Sequence, residues 1–480
     1  MTETPGSPAK ARPLAWACLA MGGSMLVDPA SGDATFTGAA VDSRAVKPGQ
    51  LFFALPGERV DGFVFCPAAK AAGAAAVVVS AAQGEPAGCE GLPVIAVADV
   101  RRSMGDLARA VRARFKGRVI GVTGSNGKTT TKELIAAALA SSGSVLRTQG
   151  NLNTDVGLPL TVLGATEEED FWVLEMAMRA RGEIAYLASI AQPHVGVVTN
   201  VAGAHLERLG SIDEVARAKG EIFHGLTPDG LAVLPADDAR IEREAAHLPD
   251  ERKKRFAIAG PHPMRANVRV LEFVPVGQKG SVMRVSVEST PLVLRLPLAG
   301  EHNARNAAAA LAVVSALSLP LSAAAKALEA TVLPPHRSSI HVFAGRLVMD
   351  DCYNANPASM LAALRTVAAW AGSSGRAYAV LGDMLELGPE TASQHGDVGR
   401  DAARLGFAGL AAVGELASHI AAGAKAGGMA SDRIVSSMDP DVAATNIVAW
   451  SKPGDWVLVK ASRGMRLERV MEALKTKLEA

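Results

Sequence analysis

Residues 119–143 read VIGVTGSNGKTTTKELIAAALASSG. An apolar run, Val119–Val122, enters a glycine-bearing turn, and a helical pattern then runs from Lys128 towards Gly143. A strand that feeds such a turn and opens a helix forms a phosphate cradle. The glycines let backbone N–H groups converge, and the helix N-terminus adds positive potential. Thr123, Gly124, Ser125, Asn126, Gly127, Lys128, Thr129 and Thr130 are therefore the expected nucleotide-binding residues. Lys128 offers a cation to the β- and γ-phosphates, and Thr129 a hydroxyl to magnesium. Val122 stands where G-x-x-x-x-G-K-[ST] has its first glycine, so the loop is a shorter variant. A P-loop alone leaves open whether the phosphate goes to a switch, to water or to a second substrate.

Composition narrows the field. A chain of 480 residues suggests about three domains. With 49% hydrophobic and 20% charged residues it has ample material for cores. Lys+Arg 49 against Asp+Glu 48 leaves +1, so no global field recruits nucleic acid or an anionic membrane. Aromatics at 4% argue against single-strand stacking platforms, leaving small molecules as the expected partners. Cys18, Cys66, Cys89 and Cys352 are scattered without a C-x-x-C pair, which fits a reducing, cytoplasmic setting and neither a disulfide framework nor a zinc knuckle. The stretch PLAWACLAMGGSMLV follows Lys10 and Arg12 and imitates a signal peptide. It holds two glycines and no clean cleavage site, and reads as an amphipathic first helix ending at Gly22-Gly23. No run approaches the roughly 20 apolar residues that span a bilayer, so no membrane insertion is expected.

The pattern predicts an α/β chain of three domains. Residues 1–113 mix short strands (DATFTGAAVDSR, GQLFFAL, AAAVVVS, LPVIAVAD) with short helices, as a small α/β domain. Residues 114–333 begin as strand–helix units: GRVIGVT before the P-loop helix, FWVLEM before GEIAYLASIA, HVGVVTNV before SIDEVARAKGEIF. Apolar strands alternating with amphipathic helices mean a mainly parallel sheet covered on both faces. From 256 to 299 the period becomes two, in SVMRVSVES and LVLRLPL, which predicts a small antiparallel extension before the Ala-rich helix ARNAAAALAVVSAL. VLPPHRSS reads as a linker, since its prolines break helix and central strand alike. In residues 334–480, RLVMDDCYN, AYAVLGD, GLAAVGE and DWVLVKAS alternate with helices, a Rossmann-like sheet without G-x-G-x-x-G.

Three side chains beyond the cradle are candidates. Glu175 ends the strand FWVLEM at the carboxyl edge, where open α/β sheets bind ligands, and is a candidate magnesium ligand; a capping carboxylate is the plain alternative. His205, after the strand HVGVVTN, would sit at the same edge, although a lone histidine is more often structural. Lys219 in DEVARAKGEIF reads by spacing as a solvated helix lysine.

Taken together, TGSNGKTT, EMAM, NVAGAHLE, ARAKGEIF, AGEHNARNAAAALAV, DDCYNANPASMLAAL, LGDMLELG and VLVKASRGMRLE resemble the Mur ligase family in order and spacing, from about residue 41 to 470. The resemblance implies an ATP-dependent, amide-forming ligase of peptidoglycan precursor synthesis, acting as a cytoplasmic monomer. Its substrates would be UDP-N-acetylmuramoyl-tripeptide and D-Ala-D-Ala. It further implies two Mg²⁺ ions, held by Thr129, Glu175, His205 and a carbamylated Lys219, with Lys128, Lys219, His205 and Glu175 as the catalytic set. Asn303 and Asn306 would approach the adenine, Arg337 and Asp350 the rest of the nucleotide, the aspartate at the ribose. Ser43 and Arg44 would recognise the uridine diphosphate, Asn153 and Thr154 the muramoyl-peptide, Asn354 and Asn356 the incoming dipeptide; Lys460, Ser462 and Arg463 match a motif without a firm role. The chain departs from the family at Ala177 and Ala461 (usually glycine), Phe63 (often histidine) and Cys352 (serine). The alternatives are a sister ligase, either one that adds the third peptide residue or a folylpolyglutamate synthase, and a P-loop ATPase that only switches shape.

Overall fold

The computed structural model describes residues 9–57, 59–203, 209–258, 265–372 and 375–479. They form two compact units, one from 1–123, 143–196 and 221–231, the other from 124–142, 197–220 and 232–480.

In the first unit, helix Leu14–Ala20 precedes Gly22, whose positive φ ends it, and strand Ser24–Val27 follows. That strand edges a five-stranded sheet in the order Ser24–Val27, Val94–Val97, Ala76–Ser80, Leu51–Phe53 and Ala39–Ala40. Only the Ser24–Val27 pairing is antiparallel. Arg12 is fully buried: its guanidinium donates to Glu167 Oε1 at 2.8 Å and to the Leu163 and Ala165 carbonyls at 3.0 and 2.8 Å. A buried cation is tolerable only when paired and fully hydrogen-bonded, as here. Strand Phe171–Glu175 lies parallel between Arg118–Thr123 and Val145–Arg147, with Glu175 in register with Val122. Trp172, fully buried, stacks on Phe115 with centroids 3.9 Å apart.

The second unit carries the cradle loop and its helix Lys128–Leu139. The alternating segment forms strands Val268–Pro275, Ser281–Val287 and Thr290–Leu296, paired antiparallel as the period of two requires. Strand Lys253–Ile258 joins them in parallel to Leu231–Pro235, through residues 232–235. Helix Glu301–Ala316 is almost entirely buried because its alanines let helix Lys128–Leu139 and helix Leu321–Glu329 approach closely. Residues 331–338 have no helix or strand, as two prolines in succession dictate. Beyond them a six-stranded sheet runs in the order Ser339–Phe343, Arg346–Asp350, Trp456–Lys460, Ala377–Gly382, Gly409–Val413 and Ile434–Ser437. Every pairing after the first hairpin is parallel. Met360, Leu364, Val398 and Ile420 cover one face, and Ala443, Ile447, Val470 and Leu474 the other, so the sheet is doubly wound. The two outer strands, Ser339–Phe343 and Ile434–Ser437, are additions to the sequence reading. Both are short, half-exposed edges that lack the apolar run of a central strand.

All four cysteines are free and buried. Among the described residues, no helix is long and apolar enough to cross a membrane.

Candidate active site

The cradle is held by its own neighbours. Gly127 stands at φ +76° before the first helical residue, and a Cβ there would lie 2.5 Å from Asn306 Oδ1. Gly124, at φ +149°, has no room for a Cβ against Thr199. Both positions therefore require glycine. Ser125 N–H donates to the Asn200 carbonyl at 3.0 Å, and Asn126 N–H to Asn200 Oδ1 at 3.0 Å. The Asn126 carbonyl in turn accepts from Thr199 Oγ1 at 2.6 Å and Asn200 Nδ2 at 2.9 Å. Ser125 Oγ exchanges hydrogen bonds with the main chain of Ala202. The helix ladder begins only at Thr131 N–H to Gly127 O, and the first turn of such a helix is where an anion is favoured. Lys128 Nζ folds back onto the Gly124 and Ser125 carbonyls, at 2.8 and 3.3 Å, over the mouth of the loop. Thr129 and Thr130 are buried behind it.

Lys219 is 1% exposed and, among the described residues, makes no hydrogen bond or ion pair. Burial first, and the nearby charge of Lys128 second, hold its pKa well below that of an ordinary lysine. The spacing had suggested a solvated lysine; the structure buries it, because its helix face packs inward at Val215, Ala216 and Ala218 as well. His205 lies outside the described residues. Asn306 Nδ2 donates to Asn303 Oδ1 at 3.2 Å, and Asn303 Nδ2 to the Ala299 carbonyl at 2.7 Å. Asn303 and Asn306 thus sit one helical turn apart on the face turned to the loop.

In the first unit, Glu175 is 2% exposed. Its Oε1 accepts from Asn153 Nδ2 at 2.8 Å, whereas Oε2 is buried with no hydrogen-bond partner. The Asn153 carbonyl accepts from Ala177 N–H at 2.8 Å, and Glu175 N–H donates to Thr148 Oγ1 at 2.9 Å. Thr154 begins the turn into helix Gly157–Leu163, its carbonyl accepting from Leu158 N–H. Ser43 and Arg44 form a 3₁₀ turn capped by Asp42. The Arg44 guanidinium holds Asp42 from 2.9 and 2.7 Å, and that hydrogen bonding lowers the Asp42 carboxyl to about 2. Arg44 stays exposed. Phe63, the family's usual histidine position, packs on the core around Phe52 and Val77.

Back in the second unit, the Arg337 guanidinium lies 3.9 Å over the Tyr353 ring and has no carboxylate partner among the described residues. Asp350 is 3% exposed, with His336 Nδ1 2.7 Å from Oδ2 and the Cys352 thiol donating to Oδ1 at 2.9 Å. Asn354 is exposed, while its carbonyl accepts from Lys460 Nζ at 2.9 Å; Lys460 also pairs with Asp351. Asn356 caps helix Pro357–Ala371 through Ser359 and donates to Asn126 Oδ1 in the cradle at 2.6 Å. Ser462 Oγ accepts from Leu385 N–H at 3.0 Å, and Arg463 pairs with Glu468. Ala461 is buried against Gly382, whose added Cβ would lie 2.7 Å away. A cavity of about 430 Å³ opens in this unit, lined by Gly300, Glu301, His302, Arg305, Arg365 and Trp370 among others; Asn303 and Asn306 are not in its wall. Sequence reasoning missed Thr199 and Asn200, although their place after an apolar strand was a usable signal.

Comparison with known proteins agrees with this geometry. Residues 35–112 match the family model described as the Mur ligase family, catalytic domain; 122–314 the Mur ligase middle domain; and 336–463 the Mur ligase, glutamate ligase domain. The UDP-N-acetylmuramoyl-tripeptide–D-alanyl-D-alanine ligase of Escherichia coli K12 is 35% identical over 449 residues, covering 92% of this chain and 94% of that protein. MurF from Acinetobacter baumannii superimposes with a TM-score of 0.87 at 30% identity, over 98% and 100% of the two chains. MurF ligase from Thermotoga maritima, solved in complex with ADP, gives 0.79 at 29% identity, over 92% and 97%. With three such domains in order along nearly its whole length, this α/β chain belongs to the Mur ligase family.

Proposed function

We propose that the chain is an ATP-dependent ligase joining D-alanyl-D-alanine to the C-terminal carboxylate of UDP-N-acetylmuramoyl-tripeptide in peptidoglycan precursor synthesis. The observation that carries this reading is Lys219, a buried amine without a counter-ion among the described residues, beside the cation of the cradle. A shape-switching ATPase has no use for it, whereas an enzyme that must hold two mutually repelling anions does. A lysine kept neutral by burial is nucleophilic: its nitrogen adds to the carbon of CO₂, the N–H proton leaves to water, and a carbamate anion remains. That exchange turns the repulsion from Lys128 into attraction.

Amide formation needs an activated carboxylate. The tripeptide carboxylate attacks the γ-phosphorus of ATP and releases ADP; the dipeptide amine then attacks the acyl phosphate and expels phosphate. Lys128 holds the phosphoryl group from the loop, and Arg337, which has no carboxylate partner among the described residues, adds a second cation. Asn303, Asn306 and Asp350 receive the adenosine, Ser43 and Arg44 the uridine diphosphate, Asn153 and Thr154 the muramoyl-peptide, and Asn354 and Asn356 the dipeptide. The residues fit magnesium: Glu175 Oε2 is a buried carboxylate oxygen without a partner, and Thr129 offers a hydroxyl, both hard oxygen donors. Glu175 and Thr129 would hold one ion, His205 and the Lys219 carbamate a second. Bound magnesium neutralises phosphate charge and polarises phosphorus for attack. We assign residues 1–113 to the nucleotide-sugar, 114–333 to ATP and 334–480 to the dipeptide, in a monomer working in the cytoplasm. The three family matches support those divisions.

The test is incubation with ATP, Mg²⁺, UDP-muramoyl-tripeptide and D-Ala-D-Ala, with the pentapeptide read by mass and phosphate release by colour. Pentapeptide with equimolar phosphate is expected, lost in Lys128→Ala. Product formed instead from UDP-muramoyl-dipeptide and a single amino acid would assign the chain to a sister reaction. Phosphate release without any amide would overturn the ligase reading.

A further inference from the structure

Asp350 is a buried carboxylate whose side-chain partners are His336 at 2.7 Å and the Cys352 thiol at 2.9 Å. Among the described residues no lysine or arginine pairs with it; Lys460 goes to Asp351 instead. What surrounds it is a set of metal-binding groups. His336 Nδ1, an Asp350 oxygen and Cys352 Sγ all lie within 4.8 Å of one another, with Sγ 3.6 Å from Nδ1. His341 Nε2 stands 3.9 Å from Asp350 Oδ2. The hairpin register explains that approach: Ser339 pairs with Asp350 and His341 with Val348, so His341 and Asp350 share a face two residues apart. The backbone of His336 is at φ +63°, and its carbonyl accepts from Tyr353 N–H at 3.1 Å. A non-glycine residue adopts that conformation at a cost, so the ring's approach to Asp350 is imposed by its surroundings.

We propose that His336, Asp350 and Cys352 form a binding site for a soft divalent metal of the zinc class, with His341 beside the Asp350 carboxylate to orient it. Imidazole, thiolate and carboxylate are the donors such ions select, whereas magnesium demands oxygen alone. Standard zinc bond lengths in a tetrahedron put sulfur and nitrogen about 3.6 Å apart, and oxygen and nitrogen about 3.3 Å apart. The sulfur–nitrogen edge is therefore already in place, while the His336–Asp350 edge, now 2.7 Å, opens by about 0.6 Å and Cys352 Sγ, now 2.9 Å from Oδ1, draws back by about 0.7 Å. Burial foremost, then the hydrogen bond to Asp350, raise the Cys352 thiol, so it is protonated without metal. On binding, the Sγ–H bond breaks, the proton leaves to solvent and sulfur donates its electron pair to the ion. Two anionic ligands and a dication then sum to zero.

The consequence for ATP rests on the reading of Asp350 as a ribose ligand: one carboxylate cannot serve both, so metal and nucleotide compete. The probe is Co²⁺, titrated into the full-length chain without Mg²⁺ or nucleotide. A thiolate-to-cobalt charge-transfer band is expected, saturating at one equivalent, displaced by Zn²⁺ and absent in Cys352→Ser. His341→Ala should weaken binding on the order of 10-fold. A wild-type protein without the band, or a band that survives in Cys352→Ser, overturns the site. Should Cys352→Ser fail to fold, His336→Gln takes its place, and an undiminished affinity there is equally fatal. Excess ADP should suppress the band. A band that forms normally but resists ADP upholds the metal site and removes Asp350 from the nucleotide.

Discussion

Lys219→Met should make the protein more stable at neutral pH while abolishing amide formation. The wild-type amine is 1% exposed, has no partner among the described residues, and is repelled by Lys128. In the unfolded chain it keeps its proton up to about pH 10.4. Burial lowers the folded-state pKa well below that. Between the two values the unfolded state binds more protons, so raising the pH stabilises the wild type, by up to about 1.4 kcal/mol per pH unit. The penalty is fully present below the folded-state pKa and vanishes as pH passes the unfolded one. Methionine fills nearly the same volume with no charge to desolvate, so the variant lacks this dependence. In a unit of 150–250 residues, about 1 kcal/mol moves the thermal midpoint by roughly 2–4 °C. The variant's advantage should therefore shrink by about 3–6 °C per pH unit within that window. Scanning fluorimetry of both proteins from about pH 7 to about pH 9, in bicarbonate-free buffer, reads this directly. Added bicarbonate should narrow the gap at fixed pH by converting the wild-type amine to a carbamate. A gap that does not change with pH, or a variant less stable at pH 7, would refute the claim that Lys219 is desolvated, and the carbamate argument with it.

Gly127→Ala forces a β-carbon against Asn306 and a left-handed φ on alanine, about 1–2 kcal/mol, and should weaken ADP binding about 10-fold by calorimetry. Arg12→Ala leaves the buried Glu167 carboxylate with Lys10 and Arg114 as its cations among the described residues and should cost about 3 kcal/mol, seen as a lower unfolding midpoint. An unchanged midpoint would mean the buried pair contributes nothing. Asn356→Ala removes a helix cap worth about 1 kcal/mol together with the Asn126 contact; KM for ATP should rise along with KM for the dipeptide. A rise for the dipeptide alone would confine Asn356 to that substrate.

Local patterns carried the sequence reading far. The cradle is contiguous, so its strand, glycines and lysine could be read directly, and the period of two at 281–296 marked the antiparallel extension. Glu175 was read as ending its strand, and it closes strand Phe171–Glu175. Contacts made across the chain were not legible. Asn126 and Asn356 are 230 residues apart in sequence, and nothing in either segment announces the other. The grouping of His336 with Asp350 and Cys352 depends on a hairpin whose first strand, SIHVF, is short and largely polar on its open face. Lys219 gave the wrong local impression because the charge of a side chain says nothing about the packing around it.

The carboxamide of Asn356 is divided between two tasks. Its oxygen terminates helix Pro357–Ala371, while its nitrogen reaches into the cradle. The segment carrying Asn354 is thereby in mechanical series with the loop that grips phosphate. Any displacement of Asn126 pulls on a helix cap, and any unravelling of that cap deprives the loop of a brace. The cradle loop and the start of helix Pro357–Ala371 are thus joined by a single amide group, so that neither can shift without the other feeling it.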